Sequence, residues 1–342
     1  MPPDEPAWWY RSEPGLASTA LVPAAALYGW AAKTRFALGK PYRSGLPVLC
    51  VGNFTAGGTG KTPLAAYLCR RLQVLGLSPV ILTRGYGGRI RGPHLLSQTE
   101  TADDVGDEPL LHARTAPVVV ARDRAAGARA IEALPDVGVI VMDDGLQNPQ
   151  LAKNLALAVV DAARAFGNGR VIPAGPLRAP LEFQLGLADV IVVNQSAPGD
   201  GGHIAAQLKS TFKGPVLQCI TMPAGDVGWL AGQSVIAWAG IGAPKRFYAM
   251  LAALGADIIE RSTFPDHHVP TAQEAERLLE LAARHGAILA TTEKDLARLS
   301  GRPGVLADLA AASRSVPIHV VFAEHDADRL DALIQSATRH AR

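Results

Sequence analysis

The stretch from residue 53 to residue 62 has the residue types and spacing of a phosphate-binding turn. It contains three glycines and ends in Gly60, Lys61 and Thr62. Glycines let backbone N–H groups approach phosphate oxygens, and the helix that follows adds the positive end of its dipole. In such a loop the lysine reaches the β- and γ-phosphates and the threonine hydroxyl binds Mg²⁺. The stretch therefore predicts binding of a nucleoside triphosphate.

One position departs from the usual phosphate-loop pattern, because Thr55 stands where a glycine is expected. The alternative is a glycine-rich structural turn before a helix. A strand at Pro47–Val51, the turn and a helix from Lys61 together favour nucleotide binding. The predicted nucleotide-binding residues are Thr55, Ala56, Gly57, Gly58, Thr59, Gly60, Lys61 and Thr62.

A pair of carboxylates follows a second apolar strand. Val137–Met142 runs directly into Asp143 and Asp144. A strand that ends in aspartate, downstream of a phosphate loop, is typical of the residue that holds Mg²⁺ or its water shell. The predicted metal-binding residues are therefore Thr62, Asp143 and Asp144.

Apolar strands that alternate with helices organise the first two thirds of the chain. The strands are predicted at 47–51, 79–83, 117–121, 137–142, 155–160, 188–193 and 215–220. This alternation predicts an α/β fold with a P-loop NTPase-type, doubly wound, mostly parallel sheet. A second, smaller α/β domain is predicted from residue 232. The expected divisions are an N-terminal segment 1–45, a P-loop domain 46–231 and a C-terminal domain 232–342.

Two further turns carry polar groups directly after predicted strands. Residues 84–89 form a basic, glycine-rich turn, and residues 264–268 include His267 and His268. The carboxyl ends of parallel strands share one edge of a sheet, so the turns within each sheet can converge on a ligand, and the turn at 264–268 is expected to face the first unit across a cleft. For the two histidines the residues leave three interpretations open, namely a metal site, a catalytic histidine beside a carboxylate, and surface histidines in a turn.

The composition restricts the class of protein. The chain has 342 residues, is 48% hydrophobic and carries a formal net charge of +2, so its bulk charge gives no reason to expect nucleic acid as a partner. The cysteines Cys50, Cys69 and Cys219 show no metal-ligand spacing. Scattered cysteines in apolar segments are typical of a reducing compartment.

The N-terminal segment combines an uncharged run with aromatic and basic flanks. Residues 18–32 carry no charge, Trp8 and Trp9 precede them, and Lys33 and Arg35 follow. The run is shorter than the roughly 20 residues that span a bilayer. Two interpretations remain, a segment lying in the interface of an anionic membrane and a helix packed on the domain.

Several motifs together resemble the tetraacyldisaccharide 4'-kinase family of Gram-negative bacteria. They occur in the family's order over most of the chain: VGNFTAGGTGKTP (51–63), TRGYGGR (83–89), VGDEP (105–109), DDGLQ (143–147), PAGPLR (173–178), FPDHH (264–268) and TTEKD (291–295). Thr55 fits this family's loop. Leu146 and Ala179 are mild departures from it, and the second leaves the contacts of Arg178 open.

The resemblance implies an activity and a location. It implies transfer of the γ-phosphate of ATP to the 4'-hydroxyl of an acylated glucosamine disaccharide 1-phosphate, which gives lipid IVA in lipid A biosynthesis. ATP and Mg²⁺ are the implied cofactors, and no obligate protein partner is expected. The implied location is the cytoplasmic face of the bacterial inner membrane, which favours the membrane interpretation of the N-terminal segment.

The resemblance also implies roles for individual residues. Asp107, in the GDEP motif, becomes the candidate base for the sugar hydroxyl, with His267 as its partner and Lys61 on the phosphates. Either Asp107 or His267 takes the proton. The residues expected to hold the substrate are Gly85, Tyr86, Arg124, Gln147 and Arg178.

Two other classes share the P-loop. A nucleotide switch or metallochaperone often carries an Asn-Lys-x-Asp motif, which Thr-Glu-Lys-Asp at 292–295 resembles only superficially, because it lacks the asparagine. A soluble small-molecule kinase or ligase of the dethiobiotin synthetase type leaves the N-terminal segment unexplained.

Overall fold

The computed structural model describes residues 5–11, 13, 15–97, 99–197 and 199–339. These residues form two β-sheets with helices on their faces. The larger sheet consists of β1 (Val48–Asn53), β2 (Pro79–Thr83), β3 (His94–Leu95), β4 (Val118–Val120), β5 (Val139–Asp143), β6 (Leu155–Asp161), β7 (Val190–Gln195), β8 (Val216–Pro223) and β13 (Ile318–Phe322). The smaller sheet consists of β9 (Ser234–Ala239), β10 (Asp257–Thr263), β11 (Ile288–Thr292) and β12 (Ser313–Val316).

The helices fill the connections between these strands. In the first two thirds of the chain they are α1 (Leu16–Ala20), α2 (Val22–Ala37), α3 (Lys61–Val74), α4 (Ala102–Val105), α5 (Asp107–His112), α6 (Arg124–Glu132), α7 (Leu181–Leu185) and α8 (Gly202–Thr211). The remainder are α9 (Pro244–Ala253), α10 (Ala272–His285), α11 (Glu293–Leu299), α12 (Val305–Ala312) and α13 (Glu324–Arg339). Short 3₁₀ turns lie at Ala7–Tyr10 and Gly228–Leu230.

The larger sheet is doubly wound around β1. Its order is β13-β8-β7-β6-β1-β5-β2-β4-β3, and the pairing is parallel except for the edge strands β13 and β3. Strands β5, β2 and β4 lie on one side of β1, and β6, β7 and β8 lie on the other. The topological switch point is therefore at β1, and ligands bind beside the carboxyl ends of the strands at such a point. The predicted doubly wound, mostly parallel sheet is confirmed.

Both faces of the larger sheet are buried, because alternate strand residues enter different cores. Cys50 packs into the cluster under α6 and α8, whereas Leu49 and Val51 pack into the cluster under α3 and α13. On α3 the helical spacing of Leu64, Leu68 and Leu72 presents one fully buried face to that core. This two-sided burial explains why the strands are continuously apolar.

The smaller sheet is parallel and has the order β10-β9-β11-β12. Helix α9 covers one face, and α10 and α12 cover the other. At the start of α10 a capping box is present, with the Thr271 side chain accepting from the backbone N–H of Glu274.

The extent predicted for the C-terminal domain, 232–342, needs a correction. Strand β13 pairs antiparallel with β8 of the larger sheet, and α13 buries Leu330 and Ile334 in that sheet's core. The chain therefore returns to the larger sheet after Val316. We call residues 232–316 the smaller unit and the other described residues the larger unit. The physical reason is that β8 offers an unpaired edge that β13 completes, with Val320 and Phe322 adding apolar burial.

The N-terminal segment packs on the larger unit through polar anchors. Trp9 Nε1 donates to the carbonyl of Pro173 at 3.0 Å, and the Ser18 hydroxyl donates to that of Ala174 at 2.6 Å. Helix α2 approaches Pro180 of the larger unit closely at Gly29, where an added Cβ would lie 3.3 Å from the proline ring. Among the described residues, no helix combines the length and apolarity that crossing a bilayer requires.

Candidate active site

A cleft of about 2080 Å³ opens where the strand ends of the larger sheet face the smaller sheet. The cleft is lined on one side by Lys61, Thr62 and Asp144 of the larger unit. On the other side it is lined by His267 and Lys294 of the smaller unit. This volume exceeds the range of about 300–1,000 Å³ that is usual for small-molecule sites. The cleft therefore has room for two sizeable ligands.

The phosphate-binding turn lies at the N-terminus of α3. Gly57 and Gly60 have φ angles of 91° and 93°, a region that favours glycine. Asn194, at the end of β7, donates from Nδ2 to the carbonyl of Thr59 at 3.0 Å and fixes the turn from below. Backbone N–H groups at such a helix start attract phosphate.

The unusual residue of the loop, Thr55, has a structural explanation. It forms a β-bridge with Leu177 and has no positive φ, so the fold does not require glycine here. Its carbonyl accepts from Arg178 Nε at 3.1 Å. The PAGPLR segment thus supports the phosphate-binding turn through its backbone.

Asp144 lies between two cations at the end of β5. Arg178 donates from Nη1 to Asp144 Oδ1 at 2.7 Å, and Lys61 Nζ lies 3.9 Å from the same oxygen. Burial acts to raise the pKa of Asp144, but the charges of Arg178 and Lys61 outweigh it and hold the pKa below its ordinary value. Asp144 is therefore a carboxylate at the mouth of the phosphate site.

Asp143, the residue before Asp144, is buried at the end of β5. It is 1% exposed, and its Oδ2 lies 3.0 Å from Nε2 of the buried His112. Its Oδ1 has no hydrogen-bond partner among the described residues. Of the two predicted metal-binding aspartates, Asp144 thus lines the cleft, while Asp143 is bonded to α5.

A third carboxylate, that of Glu108, faces the phosphate site, and no role was predicted for it from the sequence. Glu108 Oε1 lies 3.5 Å from the Thr62 hydroxyl and 2.6 Å from Lys294 Nζ. Burial acts to lower the pKa of Lys294, but the negative charges of Glu108 and Asp107 outweigh it and raise this pKa. The signal that points to Glu108 is its position directly after Asp107 in the GDEP motif.

Asp107 and His267, separated by 160 residues of sequence, are in contact across the two units. His267 Nδ1 lies 3.3 Å from Asp107 Oδ2, and Asp107 is only 3% exposed. The hydrogen bond from His267 and the charge of Arg298 outweigh burial and keep the pKa of Asp107 low. Burial lowers the pKa of His267, but the contact with Asp107 outweighs it and raises this pKa.

Two residues that line the cleft have an unusual backbone conformation. His267 has a φ of 61° and Asp144 a φ of 50°, and both belong to the small group of non-glycine residues with positive φ. Such conformations cost roughly 1–3 kcal/mol and persist where the surroundings fix them, often at functional sites.

Arg298, for which no role was predicted from the sequence, is a second partner of Asp107 beside His267. Its Nε donates to Asp107 Oδ2 at 2.7 Å, and its Nη1 donates to Asp295 Oδ1 at 2.5 Å and to the carbonyl of Gly240 at 2.6 Å. Arg298 follows Asp295 by three residues on α11, and this spacing indicates an ion pair within the helix. The spacing does not indicate that Arg298 also pairs with Asp107 in the larger unit.

Ion pairs connect the residues around α4 and α5 with α11 and the turn that follows it. The four pairs are Asp103–Arg302 at 2.6 Å, Asp107–Arg298 at 2.5 Å, Glu108–Lys294 at 2.6 Å and Arg114–Glu293 at 2.6 Å. The two consecutive acidic residues at the start of α5 are thus each paired with a cation of the smaller unit.

The predicted substrate-binding residues occupy three different settings. Tyr86 is 47% exposed, and its ring centroid lies 5.1 Å from that of His267. Gly85 has a φ of 67° and lies so close to Val105 that a Cβ would meet its carbonyl at 2.9 Å. Both residues border the Asp107–His267 pair, and Tyr86 offers an exposed aromatic face.

The other three predicted substrate residues have partners in the protein. Gln147 donates from Nε2 to the carbonyl of Asn53 and to Gln184 Oε1 at 2.7 and 2.6 Å. Arg124 is 2% exposed, and its guanidinium donates to the backbone of Ala121 and of Asp143. Arg178 bonds Asp144 as described, so the structure ties all three to the strand ends.

The histidine pair divides into two different environments. His268 Nε2 lies 2.8 Å from Glu274 Oε2, beside the N-terminus of α10, whereas His267 faces the cleft. Among the described residues, no group of three or more histidine, cysteine, aspartate or glutamate side chains is arranged to hold a metal ion.

One more acidic side chain touches the phosphate-binding turn. A Cβ added to Gly57 would lie 1.7 Å from Glu5 Oε1, and that oxygen has no partner among the described residues. Arg164 and Tyr10 hold the other carboxylate oxygen at 3.0 and 2.9 Å. Glu5 thus lies directly over the loop.

Comparisons with known proteins agree on one family. The family profile described as tetraacyldisaccharide-1-P 4'-kinase matches residues 17–339. A tetraacyldisaccharide 4'-kinase of Rhodopseudomonas palustris strain BisB5 is 50% identical over 300 residues, 86% of each chain. The same enzyme of strain BisB18 is 46% identical over 347 residues, which cover 99% of this chain and 98% of the relative.

A solved structure has the same fold. The crystal structure of LpxK from Aquifex aeolicus, an "apo" form in complex with ATP, matches with a TM-score of 0.71 at 25% identity. The match covers 94% of this chain and 100% of the Aquifex chain.

Proposed function

The chain belongs to the tetraacyldisaccharide-1-phosphate 4'-kinase family, and on that premise we propose that it transfers the γ-phosphate of ATP to the 4'-hydroxyl of a tetraacyldisaccharide 1-phosphate. The observation that carries the proposal is the position of α5. Its first residue, Asp107, contacts His267, and its second, Glu108, faces the phosphate-binding turn. An acceptor hydroxyl at this pair would lie beside the γ-phosphate.

On the nucleotide side, the residues of the loop provide positive charge and donors. The backbone N–H groups at the start of α3 and the ammonium of Lys61 bind the β- and γ-phosphates. Phosphoryl transfer depends mostly on positioning and on electrostatic stabilisation of the equatorial oxygens. Lys61, held near Asp144, is positioned to supply that stabilisation.

The residues beside the loop fit a magnesium ion. Mg²⁺ prefers hard oxygen ligands and usually combines one or two carboxylates with water and substrate phosphates. Thr62, Glu108 and Asp144 present such oxygens to the cleft, and Asp143 supports the strand end behind them. When bound, the ion neutralises charge on the β- and γ-oxygens.

On the acceptor side, Asp107 and His267 remove the proton. The 4'-hydroxyl loses its proton to this pair as its oxygen bonds to the γ-phosphorus. The bond from that phosphorus to the β–γ bridging oxygen then breaks and ADP leaves. Tyr86, whose ring is tilted against that of His267, borders the place where the sugar lies, and Gly85 allows the close approach of that turn.

The N-terminal helices present an apolar surface that fits a membrane with anionic lipids. Leu16, Leu27, Trp30 and Leu38 are 93%, 64%, 64% and 77% exposed. Aromatic and aliphatic side chains of this kind lie at the boundary of headgroups and acyl chains, and basic residues such as Arg35 attract anionic lipid. This surface supports peripheral binding at the cytoplasmic face of the inner membrane, where the acyl chains of the substrate reside.

The test is direct. Purified protein is incubated with ATP, Mg²⁺ and a tetraacyldisaccharide 1-phosphate in detergent, and the lipid is analysed by mass spectrometry. We expect a product heavier by one phosphate, formed with ADP, and none with Lys61→Ala. Folded wild-type protein that binds ATP but yields no bisphosphorylated lipid would contradict the proposal.

A further inference from the structure

One oxygen atom of Glu108 connects the smaller unit to the phosphate-binding turn. Glu108 Oε1 is 3.5 Å from the Thr62 hydroxyl and 2.6 Å from Lys294 Nζ. Thr62 is the second residue of α3, and Lys294 is the second residue of α11. The ammonium of Lys294 is therefore separated from the phosphate-loop hydroxyl by a single carboxylate oxygen.

Lys294 also has access to the cleft. Its side chain is 28% exposed, and it lines the cleft together with Lys61 and Thr62. The hydroxyl that follows the loop lysine lies beside the β- and γ-phosphates in proteins with this loop. A flexible lysine stem next to that hydroxyl can therefore reach the terminal phosphate by rotating about its own side-chain bonds.

We propose that Lys294 is a second phosphate-binding lysine, supplied by the smaller unit, which contacts the γ-phosphate of bound ATP. Glu108 holds the ammonium in the structure described here, and the γ-phosphate becomes its partner in the ATP complex. The inference rests on the proposed kinase function and adds a cation to it. Lys61 then binds the transferred group from the larger sheet and Lys294 binds it from α11.

This role predicts discrimination between nucleotides. A residue that contacts only the γ-phosphate contributes to the binding of ATP but not to that of ADP or AMP. A residue that only joins the two units affects all three nucleotides alike, or none. The ion pair of Arg302 with Asp103 offers the matched control, because it joins the same two regions at 2.6 Å without contacting Thr62 or Glu108.

The experiment compares Lys294→Met with Arg302→Met by isothermal titration with ATP, ADP and AMP, with and without Mg²⁺. For Lys294→Met we expect roughly tenfold weaker binding of ATP, because a charge-assisted contact with the γ-phosphate is lost. Binding of ADP and AMP should change by less than about twofold on the same reasoning. Arg302→Met should leave all three affinities at the wild-type value, and Lys294→Arg should recover part of the ATP affinity.

The results that overturn the inference are specific. Unchanged ATP affinity in folded Lys294→Met, or equal losses for ATP and ADP, would show that Lys294 does not bind the γ-phosphate. An Arg302→Met variant with the same selective loss of ATP would do so as well. Thermal unfolding identifies a misfolded Lys294→Met protein, and Lys294→Gln then takes its place. A wild-type enzyme that binds ATP but does not phosphorylate the lipid would reject the kinase function alone.

Discussion

The nucleotide half of the cleft and its acceptor half are assembled in different ways. Lys61, Asp144 and Arg178 all come from the larger unit, and both cations pair with Asp144 at the strand ends of one sheet. Asp107 and His267 come from different units and meet only because α5 packs against the smaller unit. The first half depends on sheet topology, and the second depends on an interface.

The two halves also differ in how their charges are compensated. Asp144 lies beside two cations at the cleft surface, and its side chain is 33% exposed. Asp107 and Arg298 are each 3% exposed, so water cannot replace a lost partner. Removing one member of a buried pair leaves an uncompensated charge and typically costs about 3–5 kcal/mol. Substitutions on the acceptor side are therefore expected to disturb folding as well as catalysis.

The largest effect is expected on the nucleotide side. Lys61→Ala removes a charge from the γ-phosphate where negative charge accumulates during transfer. We expect turnover to fall about 10²- to 10³-fold while thermal stability stays within a few degrees of the wild type. Steady-state assays and thermal unfolding measure both, with the exposed Lys209→Ala as control. Near-normal turnover in folded Lys61→Ala would contradict the assignment of the loop.

The acceptor pair is expected to show a smaller loss and strong coupling. Asp107→Ala and His267→Ala should each lower kcat by roughly 10²-fold, with little change in the KM for ATP. The double variant should be little worse than the worse single variant, because the two residues act as a unit. His268→Ala, which removes a contact with Glu274 outside the cleft, is the control and should be milder. Fully additive losses would show that the pair does not act together.

Substitution of Arg298, at the interface between the two units, is expected to change the free energy of unfolding more than the chemical step. Arg298→Met leaves Asp107 and Asp295 buried without their shared cation, so the free energy of unfolding should fall by about 3–5 kcal/mol. Arg298→Lys should recover part of that loss. Urea unfolding measures the change, and Arg71→Met, which removes a more exposed ion pair with Asp331, is the control. Equal losses for Arg298→Met and Arg71→Met would remove the energetic contrast between buried and exposed pairs.

The pH dependence of that stability has a definite sign. The pKa of Asp107 lies below its ordinary value, so the unfolded chain binds a proton more readily than the folded protein. Its contribution is complete well above the unfolded value of about 4 and is lost as the pH falls below it. The stability difference between wild type and Asp107→Asn should therefore shrink below about pH 4. A difference that stays constant from pH 7 to pH 3 would contradict the ion pair.

The smallest effect on either half is expected at the N-terminal surface. Replacing the exposed Leu27 and Trp30 with glutamate should weaken binding to anionic liposomes, because it removes apolar burial and adds negative charge. ATP binding should stay unchanged, since both side chains are exposed on α2. Liposome sedimentation at low salt measures the first, and titration measures the second. Wild-type protein that fails to bind liposomes would exclude the membrane interpretation.

The sequence by itself determined the local elements and the nucleotide half. Apolar runs predicted the strands, and the spacing of Gly60, Lys61 and Thr62 predicted the phosphate-binding turn, because these features depend on neighbouring residues. Asp143 and Asp144 were predicted as metal-binding residues in the same way, since they end an apolar strand, and that role stays a prediction. The candidate pair of Asp107 and His267 came from family resemblance, and their roles stay predictions.

Only the tertiary structure decided which distant charges meet. Glu108, Lys294 and Arg298 lie in short polar segments whose composition suits solvated turns equally well, so no local pattern assigns their partners. The return of β13 to the larger sheet could not be predicted from the sequence either, because an apolar strand fits the edge of either sheet. Local patterns report backbone geometry and amphipathic faces, whereas long-range ion pairs form only after both sheets have packed and excluded water.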